Sequence, residues 1–247
     1  MPELLLEYVL LVIAGIAASI LNVVAGGGSF LTLPILIFLG LPSVVANGTN
    51  RVGVLMQNAS AIWGFHSARV LDWRWALTAS IPAVVGSAIG TWAALYVADE
   101  LFRRILAIVM VAITLFTMFA PDPERESAVR SSRSWVVAAG FLLVGVYGGF
   151  LQAGVGFLVL AITTWSGLDL VRGNAIKVVS VLLVTVLALA IFAMNGRIHW
   201  PMGIALGIGN TLGGLIGVRL AVSKGHRWLK GVVMITIVAF AIRLWFD

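Results

Sequence analysis

Residues 26–34 read Gly26-Gly27-Gly28-Ser29-Phe30-Leu31-Thr32-Leu33-Pro34, three glycines set between two apolar segments. A related stretch, Gln152-Ala153-Gly154-Val155-Gly156-Phe157-Leu158, stands between two further apolar segments, 127 residues later. Glycine breaks inside hydrocarbon-like sequence, occurring twice in one register, predict an all-α polytopic membrane protein made from one unit used twice.

The register extends well beyond the breaks. At the same offset of 127, Gly40-Leu41 aligns with Gly167-Leu168, Asn47 with Asn174, Phe65 with Phe192, Trp73 with Trp200, Gly86 with Gly213 and Gly90 with Gly217. Leucine pairs are common by chance in apolar sequence, whereas Asn, Trp and Gly pairs in one register are not. The chain is therefore read as a first transmembrane repeat over 1–120, a polar linker over 121–134 and a second repeat over 135–247.

Composition agrees with a membrane protein. Of 247 residues, 61% are hydrophobic and 11% charged, against roughly 25% charged in soluble domains. Apolar stretches approaching the ~20 residues of a bilayer crossing recur from Leu4 onward. Five helices are expected per repeat: 4–24, 29–39, 44–65, 75–97 and 101–119, then 135–148, 156–165, 171–194, 202–222 and 228–246. An odd number inverts the second repeat. On that layout nine loop Lys and Arg fall on one face, in the loops at Arg69 and Arg74, the linker, Arg172 and Lys224 to Lys230. Only Arg103, Arg104 and Arg197 fall on the other. The rich face is cytoplasmic by the positive-inside rule, which puts both termini outside the cytoplasm of a cell (inner) membrane. The second helix of each repeat is the weak point, since about 12 apolar residues extend only about 18 Å. If those short helices re-enter instead of spanning, each copy has four crossings and the repeat becomes parallel.

The breaks are the first candidate site. Backbone N–H groups at a helix start favour an anion, and irregular backbone at membrane depth is tolerated where it is buried in protein or lines a cavity. Gly26, Gly27, Gly28 and Ser29, with Gln152, Gly154 and Gly156, are thus candidate walls of a binding site; the competing reading is close helix contact through small residues. Arg51 and Lys177 each lie about two turns inside a helix, deeper than a topology signal requires. The competing reading for these is snorkelling to the headgroups. All ten acids, from Glu3 to Asp247, fall at helix ends or in loops. A bound anion is then a natural counter-charge for Arg51 and Lys177, with Asn47, Thr49, Asn50, Gln152 and Asn174 supplying directional hydrogen bonds.

Other chemistries find little support. The chain has no cysteine, and His66, His199 and His226 stand apart without acidic company, so no metal, cofactor or catalytic constellation is expected. The formal charge of +6 is scattered over helix ends and forms no continuous face for nucleic acid. The tryptophans Trp63, Trp73, Trp75, Trp135, Trp165, Trp200 and Trp228 cluster at expected helix ends, as interface anchors do.

The first break, followed by Gly40-Leu41-Pro42 and Ala46-Asn47-Gly48-Thr49-Asn50, resembles the first motif of the sulfite exporter TauE/SafE family of membrane permeases. Gly154-Val155-Gly156-Phe157-Leu158 through Gly167-Leu168 to Asn174-Ala175-Ile176-Lys177 is similar to that family's second motif. The chain departs from the family pattern at Asn50, Ala161 and Asn174-Ala175-Ile176, which leaves the second copy with fewer hydroxyls. The resemblance implies a permease for small sulfur-containing anions such as sulfite or organosulfonates. The resulting expectation is a secondary transporter, not an enzyme, working by alternating access on a small anion in a lipid bilayer, with self-association open. An anion channel using the same cationic pore is the alternative, and a non-transporting membrane scaffold is a third reading.

Overall fold

A computed structural model describes residues 2–119 and 134–224, and every described element is helical. The helices are α1 (Pro2–Ala25), α2 (Ser29–Phe38), α3 (Ser43–Ser67), α4 (Trp73–Tyr96), α5 (Asp99–Phe119), α6 (Ser134–Phe150), α7 (Val155–Trp165), α8 (Leu170–Met194) and α9 (Trp200–Lys224). Most of the polar linker and the tenth helix expected over 228–246, with Trp228 and His226, lie outside the described residues. Among the described residues, four helices, α1, α4, α8 and α9, are long and apolar enough to cross a bilayer. The 10 residues of α2 and 11 of α7 are not, since at 1.5 Å per residue they extend about 15–17 Å.

Helix boundaries follow local chemistry. Asp169 caps α8, its carboxylate accepting from the amides of Val171 and Arg172 at 3.0 and 2.9 Å. The aligned position before α3 is Pro42, which has no side-chain acceptor. There the cap comes from a distance: Asp99, opening α5, accepts from the Ser43 amide at 2.5 Å and pairs with Arg103 at 2.8 Å. Asp99→Asn is expected to lower stability by about 1 kcal/mol, as loss of a charged helix cap does, read as a fall in melting temperature in detergent. An unchanged melting temperature would remove Asp99 from this role.

Packing is inside out relative to a soluble bundle. Along α4, Leu77, Ile81, Val85, Ile89, Trp92 and Tyr96 face outward, while Ala76, Ala79, Ala83, Gly86 and Gly90 face protein. Hydrocarbon solvates large side chains as well as a core would, so association is driven by close backbone contact at small residues. A Cβ on Gly86 or Gly90 would collide with the α6 carbonyls of Leu142 and Val146, and one on Gly145 or Gly149 with the α4 carbonyls of Ala83 and Ser87. The α1–α9 pair is built likewise, with Gly209 and Gly213 against the carbonyls of Val12 and Ile16, and Gly15 against Leu206.

These contacts sort the helices. α1, α2, α3 and α9 pack on one another; α4, α6, α7 and α8 form a second bundle. α5 joins the first through α3. The bundles meet mainly along α3 and α8, with α1 touching α7 and α8. Trp63, Trp73, Trp135, Trp165 and Trp200 are exposed at or near helix ends, whereas Trp75 is half buried edge-on against Phe141.

Candidate functional site

Both glycine breaks lie at the seam between the bundles, in contact with each other. Gly26 adopts φ 91° and Gly154 φ 74°, left-handed conformations that cost other L-residues about 1–2 kcal/mol. A Cβ on Gly26 would sit 2.7 Å from the carbonyl carbon of Gly156, and one on Gly156 would sit 2.6 Å from the Gly26 Cα. Space here admits backbone alone. The ring of Phe157 covers Gly27, and the ring of the aligned Phe30 covers Gly154. Gly28, the residue before α2, presses on the α1 backbone at Ala18. Among the described residues, the N–H groups of Gly27, Gly28, Gly154 and Gly156 find no backbone acceptor. Tyr147 braces the second break by donating its hydroxyl to the Ala153 carbonyl.

The two buried cations are placed by the breaks rather than by the headgroups. A helix that stops inside the protein leaves its last carbonyls without partners. α1 ends at Ala25, and Lys177 Nζ on α8 donates to the carbonyls of Asn22 at 2.7 Å and Val23 at 3.0 Å, and to Asn174 Oδ1 at 2.6 Å. α6 ends at Phe150, and Arg51 Nη2 on α3 donates to the carbonyls of Gly148 at 3.1 Å and Gly149 at 2.5 Å. Asn47 Nδ2 takes the Phe150 carbonyl at 2.7 Å, and its Oδ1 faces Arg51 Nη2 at 3.5 Å. The Arg51 guanidinium also stacks over Phe192, 5.0 Å from the ring centroid. Arg51 is 0% exposed and Lys177 3%, so snorkelling does not occur. Each cation sits at the negative end of the broken helix in the opposite bundle, where the macrodipole contributes roughly half a charge. The counter-charge that the sequence leaves to an anion is thus partly supplied by helix ends.

A chamber of about 10 Å³ lies beside Lys177, room for about one water molecule. Its walls come from both bundles: Asn22, Ser29 and Asn58 on one side, Gln152, Gly156 and Lys177 on the other, with Val54 and the aligned Val181 facing in. Gln152 holds φ 63°, a conformation that a non-glycine residue keeps only at a cost of about 1–3 kcal/mol. Its Nε2 donates to Thr185 Oγ1 at 2.7 Å, and its buried Oε1 has no partner among the described residues.

Of the expected site residues, Ser29, Gln152, Gly156 and Lys177 meet at this chamber. Gly26, Gly27 and Gly154 form the contact between the breaks, Gly28 packs against α1, and Asn174 holds Lys177. The others stand apart from the chamber. Arg51 and Asn47 hold the end of α6; Thr49 Oγ1 accepts from the His199 amide at 2.9 Å, joining α3 to the start of α9. Asn50 Oδ1 accepts from Thr32 Oγ1 at 2.6 Å, tying α2 to α3, while its Nδ2 is buried without a partner among the described residues. Sequence reasoning missed Asn22, Gln57 and Asn58. Asn22 Nδ2 donates to Gln57 Oε1 at 3.1 Å, linking α1 to α3 behind the chamber. The signal was available, since amides inside apolar helices are costly enough to need a purpose. Among the described residues no cluster of His, Cys, Asp or Glu could hold a metal.

Relatives agree with a membrane role. The chain is 29% identical over 225 residues to a "Probable membrane transporter protein" of Haemophilus influenzae, covering 90% of this chain and 88% of that protein. It is 27% identical to "Probable membrane transporter protein ORF9" of a Sinorhizobium species, covering 96% and 92%. Identity is 28% to "Probable membrane transporter protein YfcA" of Escherichia coli K12, covering 93% and 86%. No solved structure matches significantly. The pattern described as sulfite exporter TauE/SafE matches residues 11–244, nearly the whole sequence, and the chain belongs to that family of membrane transporters.

Proposed function

We propose that this protein is a secondary transporter carrying a small anion, sulfite or an organosulfonate, across the cell membrane by alternating access. Two inverted repeats of five helices, over 1–120 and 135–247, build it, with both termini outside the cytoplasm. The observation that carries this reading is the chamber where the two breaks meet. It combines a buried ammonium with the Gly156 amide, which lacks a backbone acceptor, between two bundles. Desolvated positive charge at membrane depth attracts an anion strongly, because little water is present to screen it. The acids Glu3, Glu7, Asp72, Asp99, Glu100 and Asp169 all stand near helix ends, and none is in the chamber lining. The anion therefore meets no carboxylate on that wall.

Room for one water also favours a carrier in its closed form over a standing anion pore. The test is flux of isotopically labelled sulfite and sulfonates into proteoliposomes. A carrier saturates and shows counterflow, with uptake accelerated by unlabelled anion inside. A channel, in which both gates can open together, shows no acceleration by unlabelled anion on the far side. A scaffold shows no flux, and its melting temperature does not rise with anion, whereas a binder gains about 2.7 kcal/mol at 100 times its Kd.

A further inference from the structure

We infer that the moving parts of the transport cycle are not the two sequence repeats but the two exchanged bundles, with Lys177 and Arg51 as the latches between them. The inference rests on the transport reading above and specifies which surfaces part. α4 belongs to the first repeat yet packs with α6 and α8 of the second. α9 belongs to the second repeat yet packs with α1 and α3 of the first. The α4–α6 and α1–α9 contacts are close-packed at glycines where an added Cβ would strike backbone, so sliding within a bundle would force those contacts apart. The seam between bundles also includes a backbone contact of this kind, Gly26 against Gly156, but it is set among polar groups and a void. The seam contains both glycine breaks, the chamber and the crossed cations.

The latches are polar and exchangeable. Lys177 on the second bundle holds the end of α1 on the first, and Arg51 on the first holds the end of α6 on the second. Lys177 has three N–H donors, and all three are engaged in this closed form, two of them across the seam. An anion in the chamber competes for those donors, and where it takes one of the two that cross the seam it frees an α1 carbonyl and loosens the seam. Substrate binding and bundle separation are coupled through one ammonium group.

The chain has no cysteine, which makes the test direct. Ser80 on α4 and Ser180 on α8 bring their hydroxyl oxygens to 2.9 Å, so S80C and S180C place two thiols in contact for oxidation to a disulfide. This bond joins the two repeats but lies inside one bundle. Flux in the oxidised protein is expected within about twofold of the reduced protein, a difference of about 0.4 kcal/mol in barrier. V54C with V181C, bridged across the chamber by a short bifunctional thiol reagent, is expected to stop flux. Loss of flux on oxidising the first pair, restored by reductant, would overturn the inference.

Spin labels at exposed Leu10 on α1, Ile89 on α4, Leu143 on α6 and Ile208 on α9 give a reading independent of flux. Distances 89 to 143 and 10 to 208 should each stay single when anion is added, while 10 to 89 and 143 to 208 change. The reverse pattern means that whole repeats move, and no change in any pair means that the seam does not open; either overturns the inference. Protein without flux for any anion, but with the expected distance changes, would condemn the substrate assignment and keep the moving parts.

Discussion

Lys177→Met is expected to abolish anion flux in proteoliposomes, a fall of at least about 100-fold or roughly 2.7 kcal/mol of barrier, while folded protein is still recovered. Methionine matches the length of the aliphatic stem and carries no charge, so the chamber keeps its shape and loses its positive field. The Val23 carbonyl and Asn174 Oδ1 lose their Lys177 donor, whereas the Asn22 carbonyl keeps the Gly26 amide at 2.8 Å. Leaving a buried acceptor unsatisfied costs about 1–3 kcal/mol each, partly offset because a desolvated ammonium is gone. A modest drop in melting temperature should accompany complete loss of anion-induced stabilisation. Undiminished flux would remove Lys177 from the site. Arg51→Met probes the other latch, and its effect is expected on flux without loss of anion binding, because Arg51 holds α6 away from the chamber wall.

Gly26→Ala should prevent accumulation of folded protein. The methyl group meets two costs at once: a φ of 91°, and backbone of Gly156 and Phe157 at 2.7 to 2.8 Å. The first is about 1–2 kcal/mol. The second adds about 1–3 kcal/mol because the obstacle is main chain with no rotamer to change. Together they take a large share of a typical stability of about 5–15 kcal/mol. Gly40→Ala and Gly167→Ala provide the comparison. Both positions have positive φ, 91° and 85°, but nothing stands within 4 Å of an added Cβ, so only the conformational cost of about 1–2 kcal/mol applies. Size-exclusion profiles in detergent and yield measure the difference. A monodisperse Gly26→Ala protein with flux would show that the contact between the breaks is dispensable.

Much of the site was legible in residue types. Glycines inside apolar sequence, two deep cations and a shortage of acids pointed to the same few positions, because each is expensive in hydrocarbon and needs a partner. What a partner would be was not legible. Arg51 and Lys177 look like free charge in sequence, and nothing in Asn22-Val23 or Gly148-Gly149 marks those carbonyls as their acceptors, since a carbonyl belongs to every residue. Asn50 and Thr49, both next to a cation, read as anion ligands but serve to join α2 and the start of α9 to α3. Spacing along a helix gives a side chain's direction only relative to its own axis.

By itself the sequence determined a helical membrane protein with two glycine breaks and two cations placed well inside helices, because hydropathy and helix length are local properties of the chain. Only the tertiary structure decided that α4 packs with α6 and α8 while α9 packs with α1 and α3, that both cations are buried, that each closes the broken helix of the other bundle, and that Lys177 alone of the two reaches the chamber. Those facts depend on which glycine faces meet, and backbone-to-backbone fit is a property of pairs of helices that no single helix encodes.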